Sequence, residues 1–227
     1  MAVTIIFLAV VGSVIAWWLS RQRLTSKPWL EEGAGEPPAG PGSGGPIPAA
    51  KLGLWVFLAV VGSLFALFIS AYSMRMHMGD WRPLSLPDLL WVNTGLLIFS
   101  SFALHRAVLA ARREDGGNLE AALLAGAVSA AGFLIGQILA WRQMAAGGVF
   151  LASSPAASFF YLITAVHGLH LAGGLVALTR AGIRVARGGG TERTRLSVEL
   201  CAVYWHFLLL VWVVLFALLL LTRGGTH

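Results

Sequence analysis

Long apolar runs broken by short polar stretches dominate the chain, and no run alternates with the period of two that marks a half-buried strand. Six runs come close to or reach the length that crosses a bilayer, about 20 residues at 1.5 Å each. They fall at roughly 2–19, 52–74, 88–111, 121–142, 156–180 and 198–222. The first is the shortest. It has no basic stretch before it and ends in Trp17 and Trp18, then Arg21 and Arg23. That ending suits a membrane interface better than a cleavage site, so the run is read as a retained span. The pattern predicts an all-α membrane protein with six spans.

The polar stretches divide the chain. Residues 31–50 read EEGAGEPPAGPGSGGPIPAA, with nothing bulky and apolar before Ile47. A segment of that composition buries too little surface to offset its ordering entropy. The expected organisation is an N-terminal transmembrane helix in residues 1–30, a flexible Gly/Pro/Ala-rich linker at 31–50, and a five-helix transmembrane domain at 51–227.

Composition agrees. Of 227 residues, 57% are hydrophobic and 11% charged, under half the charge supply of a soluble domain. The formal charge of +6 reads as a topology signal rather than a nucleic-acid footprint, because basic residues gather in cytoplasmic loops. One side of the expected topology holds Arg21, Arg23, Lys27, Lys51, Arg112, Arg113, Arg180, Arg184, Arg187, Arg193 and Arg195. The other holds Arg75, Arg82, Arg142 and Arg223. Both chain ends should then face outward, toward the periplasm of a bacterial inner (plasma) membrane.

Chemistry inside the spans is sparse. A single cysteine, Cys201, excludes an intrachain disulfide and a cysteine-cluster metal site. All ten acids sit in loops or near span ends, with Glu199 about one turn inside the last span. No carboxylate at mid-membrane speaks against an ion-coupled transporter. His167 and His170, three apart, share a helix face, and His206 lies in the last span. Two readings compete. A bis-histidine haem site would need small residues to admit the ring, which Gly168, Gly173 and Gly174 could supply, and copper would need three convergent ligands, with His206 as the third. The alternative is hydrogen bonding between helices. Gly132 and Gly136 form a GxxxG pair suited to close helix packing. Asn93 and Gln137 are expected to bond one another, since an unpaired amide in lipid costs several kcal/mol on the order of. Phosphate-loop, nucleotide and catalytic-serine motifs are missing from the sequence.

Three strings occur in order, each opening or crossing a span: KLGLWVFL at 51–58, FFYLITAVHGLHLAGG at 159–174 and ELCAVYWHFLLLVW at 199–212. With Asn93-Thr94, Ser100-Ser101, His105, and Gln137 with Trp141, they resemble subunit III of the haem-copper terminal oxidases, the cytochrome c oxidase type. The resemblance covers about residues 50–222, and the HGLH and YWHF strings are its specific part. It implies a five-helix bundle of the subunit III type plus one tethered helix. The motif positions are Trp55, Asn93, His105, Gln137, His167, His170, Glu199, Tyr204, Trp205 and His206. It further implies no catalytic, cofactor-binding or metal residues in this chain. Haem and copper belong to partner subunits, and bound phospholipid is expected. The implied partners are catalytic subunit I, subunit II and membrane lipids, with no nucleic acid. The implied role is non-catalytic: assembly, lipid packing, proton uptake and durability of the catalytic subunit. Three positions depart from the family, which usually carries acids where this chain has Val61, Ala140 and Leu209. The alternatives are a related accessory subunit of a nitric oxide reductase and, from another class, a membrane haem-b electron carrier.

The topology is testable by cysteine labelling. A cysteine introduced at residue 226 should react from outside and one at residue 190 should not; the reverse pattern refutes the orientation.

Overall fold

The computed structural model describes residues 49–187 and 192–222. The span expected over 2–19 lies outside them, as does the expected linker except Ala49 and Ala50, which are helical. Five helices make up the described fold: α1 (Ala49–Arg75), α2 (Leu89–Arg112), α3 (Gly116–Ala146), α4 (Pro155–Ala186) and α5 (Glu192–Leu221). All five are long and apolar enough to cross a membrane. At 24 to 32 residues each, they run past the apolar runs, because the polar first and last turns at the membrane surface stay helical. α3 begins five residues before the run expected from 121, and α5 six before the run expected from 198.

Local chemistry sets the helix ends. Between α2 and α3 only Arg113, Glu114 and Asp115 intervene. Glu114 adopts φ 57°, and the Asp115 amide donates back to the Ala110 carbonyl at 3.1 Å, closing α2 with a left-handed residue. Asp115 then caps α3: its carboxylate accepts from the Asn118 backbone amide at 3.2 Å and from the Asn118 side chain at 2.5 Å. These bonds, the side-chain one first, hold the Asp115 carboxyl below its usual range. Ser154 caps α4, accepting from the Ala157 amide at 3.2 Å, and Pro155 takes the first helical position, where its missing N–H costs nothing.

Such a short connection forces α2 and α3 antiparallel, and they make the most extensive helix pair. α3 continues onto α4, α4 onto α5, and α5 returns to α2, closing a four-helix ring. α1 rests on α5 and α4 and is the least enclosed helix. Contacts at the two ends follow up-down alternation. At one end Lys51 of α1, Arg112 of α2 and Arg195 of α5 surround Glu199. At the other, Tyr72 and Thr222 share a hydrogen bond of 2.5 Å, and the Tyr72 ring meets Trp81 and Phe159 edge-on. There too Arg75 grips Asp80 through both carboxylate oxygens, which holds that carboxyl below its usual range.

The Asp115 cap gives a pH-dependent prediction. Its folded carboxyl titrates below the unfolded value, near 3.9, so its contribution is complete above that value and is lost as pH falls through the folded one. Asp115→Ala should therefore lower the thermal midpoint of the purified chain at pH 7, and the deficit should shrink on acidification. Asp115→Asn, also a good cap, should lose less. Thermal melts of the three proteins from pH 7 to pH 3 check this.

Candidate functional site

The interior polar groups lie where α2, α3, α4 and α5 meet. Asn93 of α2 is fully buried and its Nδ2 donates to Oε1 of buried Gln137 on α3 at 3.4 Å. The amide pair expected from the sequence is therefore present. Its closeness depends on Gly136. A Cβ there would lie 2.0 Å from Asn93 Oδ1, so no side chain fits without displacing the amide. Gly132, its GxxxG partner, is less critical: a Cβ would meet only Leu96, at 3.5 Å. One turn pair further in, Ser100 Oγ donates to the Gly126 carbonyl at 2.8 Å, again joining α2 to α3.

The other helix pairs have their own links. Trp141 Nε1 donates to Thr164 Oγ1 at 3.1 Å between α3 and α4. Trp212 Nε1 donates to Thr94 Oγ1 at 2.9 Å between α5 and α2. Tyr204 Oη donates to the His170 carbonyl at 2.8 Å between α5 and α4. Bonds of this kind contribute on average about 0.6 kcal/mol each in a membrane.

The histidines separate into three environments. His167 is fully buried among rings, with centroids 5.2 Å from Trp212, 5.8 Å from Phe133 and 6.1 Å from Phe65. Neither of its ring nitrogens has a hydrogen-bond partner among the described residues. His170 is half-buried, lies 5.6 Å from the Phe65 ring, and its Nδ1 donates to the Val166 carbonyl at 2.8 Å. His206 is exposed and does not converge with them. Its ring lies 5.9 Å from exposed His105 of α2, and its Nδ1 donates to the Ala202 carbonyl at 2.5 Å.

No group of three or more His, Cys, Asp or Glu among the described residues could hold a metal ion. The room at Gly174 is taken by protein: a Cβ there would lie 2.5 Å from the Tyr204 ring and 2.8 Å from the Trp205 ring. Trp205 is fully buried and Tyr204 half-buried, so both motif residues act as packing rings against α4. Glu199 is half-buried, with Arg112 Nη2 at 3.3 Å, Arg195 Nε at 3.8 Å and Lys51 Nζ at 3.9 Å. Trp55 is exposed on α1. Sequence reasoning missed the pairing of His105 with His206. Their only sequence signal is position: each lies seven residues from a charged group of the inner cluster, Arg112 and Glu199.

These strings and this ring of helices can be set against known proteins. The family model described as cytochrome c oxidase subunit III matches residues 51–222. The chain belongs to the cytochrome c oxidase subunit III family. A cytochrome c oxidase subunit 3 from Synechocystis sp. is 34% identical over 175 residues, covering 74% of each chain. One from Thermostichus vulcanus is 32% identical over 178 residues, 76% of this chain and 87% of the relative. A probable cytochrome c oxidase subunit 3 from Mycobacterium tuberculosis is 32% identical over 170 residues, 73% of this chain and 82% of the relative. The match begins at α1 and excludes the first 50 residues. Within this subunit III chain, the positions expected to carry family acids are interior packing sites. Val61 and Ala140 are buried in the apolar core, and Leu209 packs half-buried against it.

The two tight glycines make a prediction. Gly136→Ala and Gly174→Ala should each destabilise the purified chain by roughly 1–3 kcal/mol, the usual cost of overpacking. Gly132→Ala and Gly173→Ala should be near neutral, since a Cβ at Gly173 meets nothing within 4 Å. Denaturation in detergent with matched controls checks the ranking, and equal losses at all four positions would refute it.

Proposed function

We propose that this chain is the non-catalytic subunit III of a respiratory haem-copper oxidase. The observation that carries the reading is the match to the cytochrome c oxidase subunit III family across all five described helices. The relatives named above are cytochrome c oxidase subunits 3, and neither a nitric oxide reductase subunit nor a haem-b carrier gains support from them. The interior geometry fits the reading. The buried histidine faces three aromatic rings, and the helix-joining groups bond to one another rather than converging on a shared centre.

On this reading haem and copper reside in the partner subunits I and II, and this chain supplies helices, lipid-facing surface and stability. Phospholipid fills the exposed apolar faces that no partner covers, since outward side chains such as Leu67 of α1 and Leu169 of α4 suit hydrocarbon. The chain supports assembly, and it supports proton uptake indirectly, by keeping the catalytic subunit packed and wetted as its mechanism needs. A direct proton route through Val61, Ala140 or Leu209 has no titratable group to use. The setting is the bacterial plasma membrane, with the Glu199 end of the bundle inside.

A complex purified without this chain should keep its full haem and copper content and reduce oxygen at first. Its activity should then decay faster during turnover than that of the intact complex. Initial rates and decay curves of the two preparations check this. Immediate inactivity with full metal content would reveal a catalytic part in this chain, and identical decay would leave it an assembly role alone.

A further inference from the structure

At the end of the bundle opposite Glu199, three of the chain's five methionines fall within five residues: Met74, Met76 and Met78, with His77 between the last two. α1 ends at Arg75, but the turn carries on. The Met76 amide donates to the Tyr72 carbonyl at 3.0 Å, and the Met78 amide to the Arg75 carbonyl at 3.2 Å. Residues 74, 77 and 78 are thus spaced i, i+3 and i+4 along one side of a continued helical turn. Exposure follows that spacing. Met74 is 72% and Met78 56% exposed, and His77 is exposed with them, while Met76 packs half-buried against the core.

The backbone beneath these side chains is held from both sides. Tyr72 bonds Thr222 and meets the rings of Trp81 and Phe159. Arg75 grips Asp80 through both carboxylate oxygens, closing the chain around residues 76–79, and the Trp81 amide donates to the Met78 carbonyl at 3.1 Å. Methionine is unbranched and rotates freely along its length, so two thioether sulfurs anchored at fixed positions can reach one point beside the imidazole. The approach is open at Gly79, where nothing lies within 4 Å of a built Cβ.

The donor set selects the ion. Two thioethers and one imidazole are neutral ligands, and the adjacent carboxylate, Asp80, is already taken by Arg75. Thioethers favour copper(I), imidazole also binds copper, and magnesium, calcium and manganese ask for oxygen instead. A monovalent ion needs no carboxylate to balance its charge. On the orientation proposed above this end faces the periplasm, where thioethers, unlike thiols, are not lost to disulfides. Contact with lipid accounts for exposed methionines but gives no reason for an imidazole set among them at helical spacing.

We propose that Met74, His77 and Met78 form a surface site for copper(I), bound by two thioether sulfurs and one imidazole nitrogen. The site goes beyond the subunit III reading and does not depend on it. Its exposure makes it an exchanging site, one that takes up and releases the ion.

The test uses the full-length chain in lipid nanodiscs under anaerobic, reducing conditions, titrated against copper(I) held by the chromophoric chelator bicinchoninate. The chain should withdraw one equivalent, with sulfur and nitrogen scatterers in its copper X-ray absorption spectrum. Met74→Leu with Met78→Leu, and separately His77→Ala, should weaken binding roughly tenfold or more, since even residues outside a ligand set are worth about tenfold to a metal site. Met76→Leu, on the buried side of the turn, and Cys201→Ala should leave it unchanged, and all variants should keep the thermal midpoint. Excess zinc should not displace the ion. No withdrawal of copper, equal affinity in the Met74→Leu/Met78→Leu chain, loss on Cys201→Ala, or displacement by zinc each overturns the inference and leaves the subunit III reading untouched.

Discussion

Helices in hydrocarbon gain nothing by hiding apolar side chains from one another, so their association depends on how closely their backbones can approach. In this bundle two glycines set that approach. Gly136 lets Asn93 lie against the α3 backbone, and Gly174 lets the Tyr204 and Trp205 rings lie against α4. The first contact fixes the α2–α3 pair and the second the α4–α5 pair. With α3 joined to α4 and α5 to α2, the ring is closed. The hydrogen bonds that cross these seams are each small, but they form only at the spacing the glycines allow. Asn93 reaches Gln137, and Tyr204 reaches the His170 carbonyl, because no side chain stands between.

The polar chemistry is sorted by depth. Charged groups sit at the ends, where they meet headgroups and water: the Glu199 cluster at one end and the Arg75–Asp80 pair at the other. Exposed ion pairs of this kind are worth little individually, so their part is to fix the level of the bundle in the membrane rather than to hold it together. Between them the interior uses amide, hydroxyl and indole hydrogen bonds and rings that meet edge-on or tilted. His167 belongs to that interior as a ring among rings, beside Trp212, whose indole N–H is itself tied to Thr94.

Much of this was legible in the sequence. Five apolar runs became five helices, since run length and hydropathy alone decide what can span a bilayer. The Asn93–Gln137 pair was legible because two amides in apolar runs have few other ways to be satisfied. The helix ends were less so: α3 and α5 extend five and six residues past their runs, where the polar cap at Asp115 and the acidic first-turn residue Glu192 favour continued helix. The histidines were the least legible. Spacing puts His167 and His170 on one side of α4, but whether His206 points at them or away depends on the rotation of α5, which no local pattern encodes. The same holds for Gly174, which looks in sequence like its neighbour Gly173 and in space is the one that two rings cross.

A subunit that does no chemistry is still constrained, only differently. An active site needs a few groups held to fractions of an ångström; a packing subunit needs whole faces of the right shape and polarity. The three positions where acids were expected illustrate the distinction. Val61 and Ala140 fill buried space that a carboxylate would occupy only at the cost of its hydration, and Leu209 packs half-buried against the core. With apolar residues at those positions the core closes with apolar contacts, and among the described residues no carboxylate is buried in it. What specificity remains must then sit on the outside, at the polar groups that lipid cannot satisfy. His105 and His206 are exposed polar groups of this kind, each two turns along its helix from the Glu199 cluster, with ring centroids 5.9 Å apart. A bundle built this way holds its four-helix ring together from within and leaves α1 little enclosed, which is the form a subunit takes when its stability is its own and its function belongs to the complex.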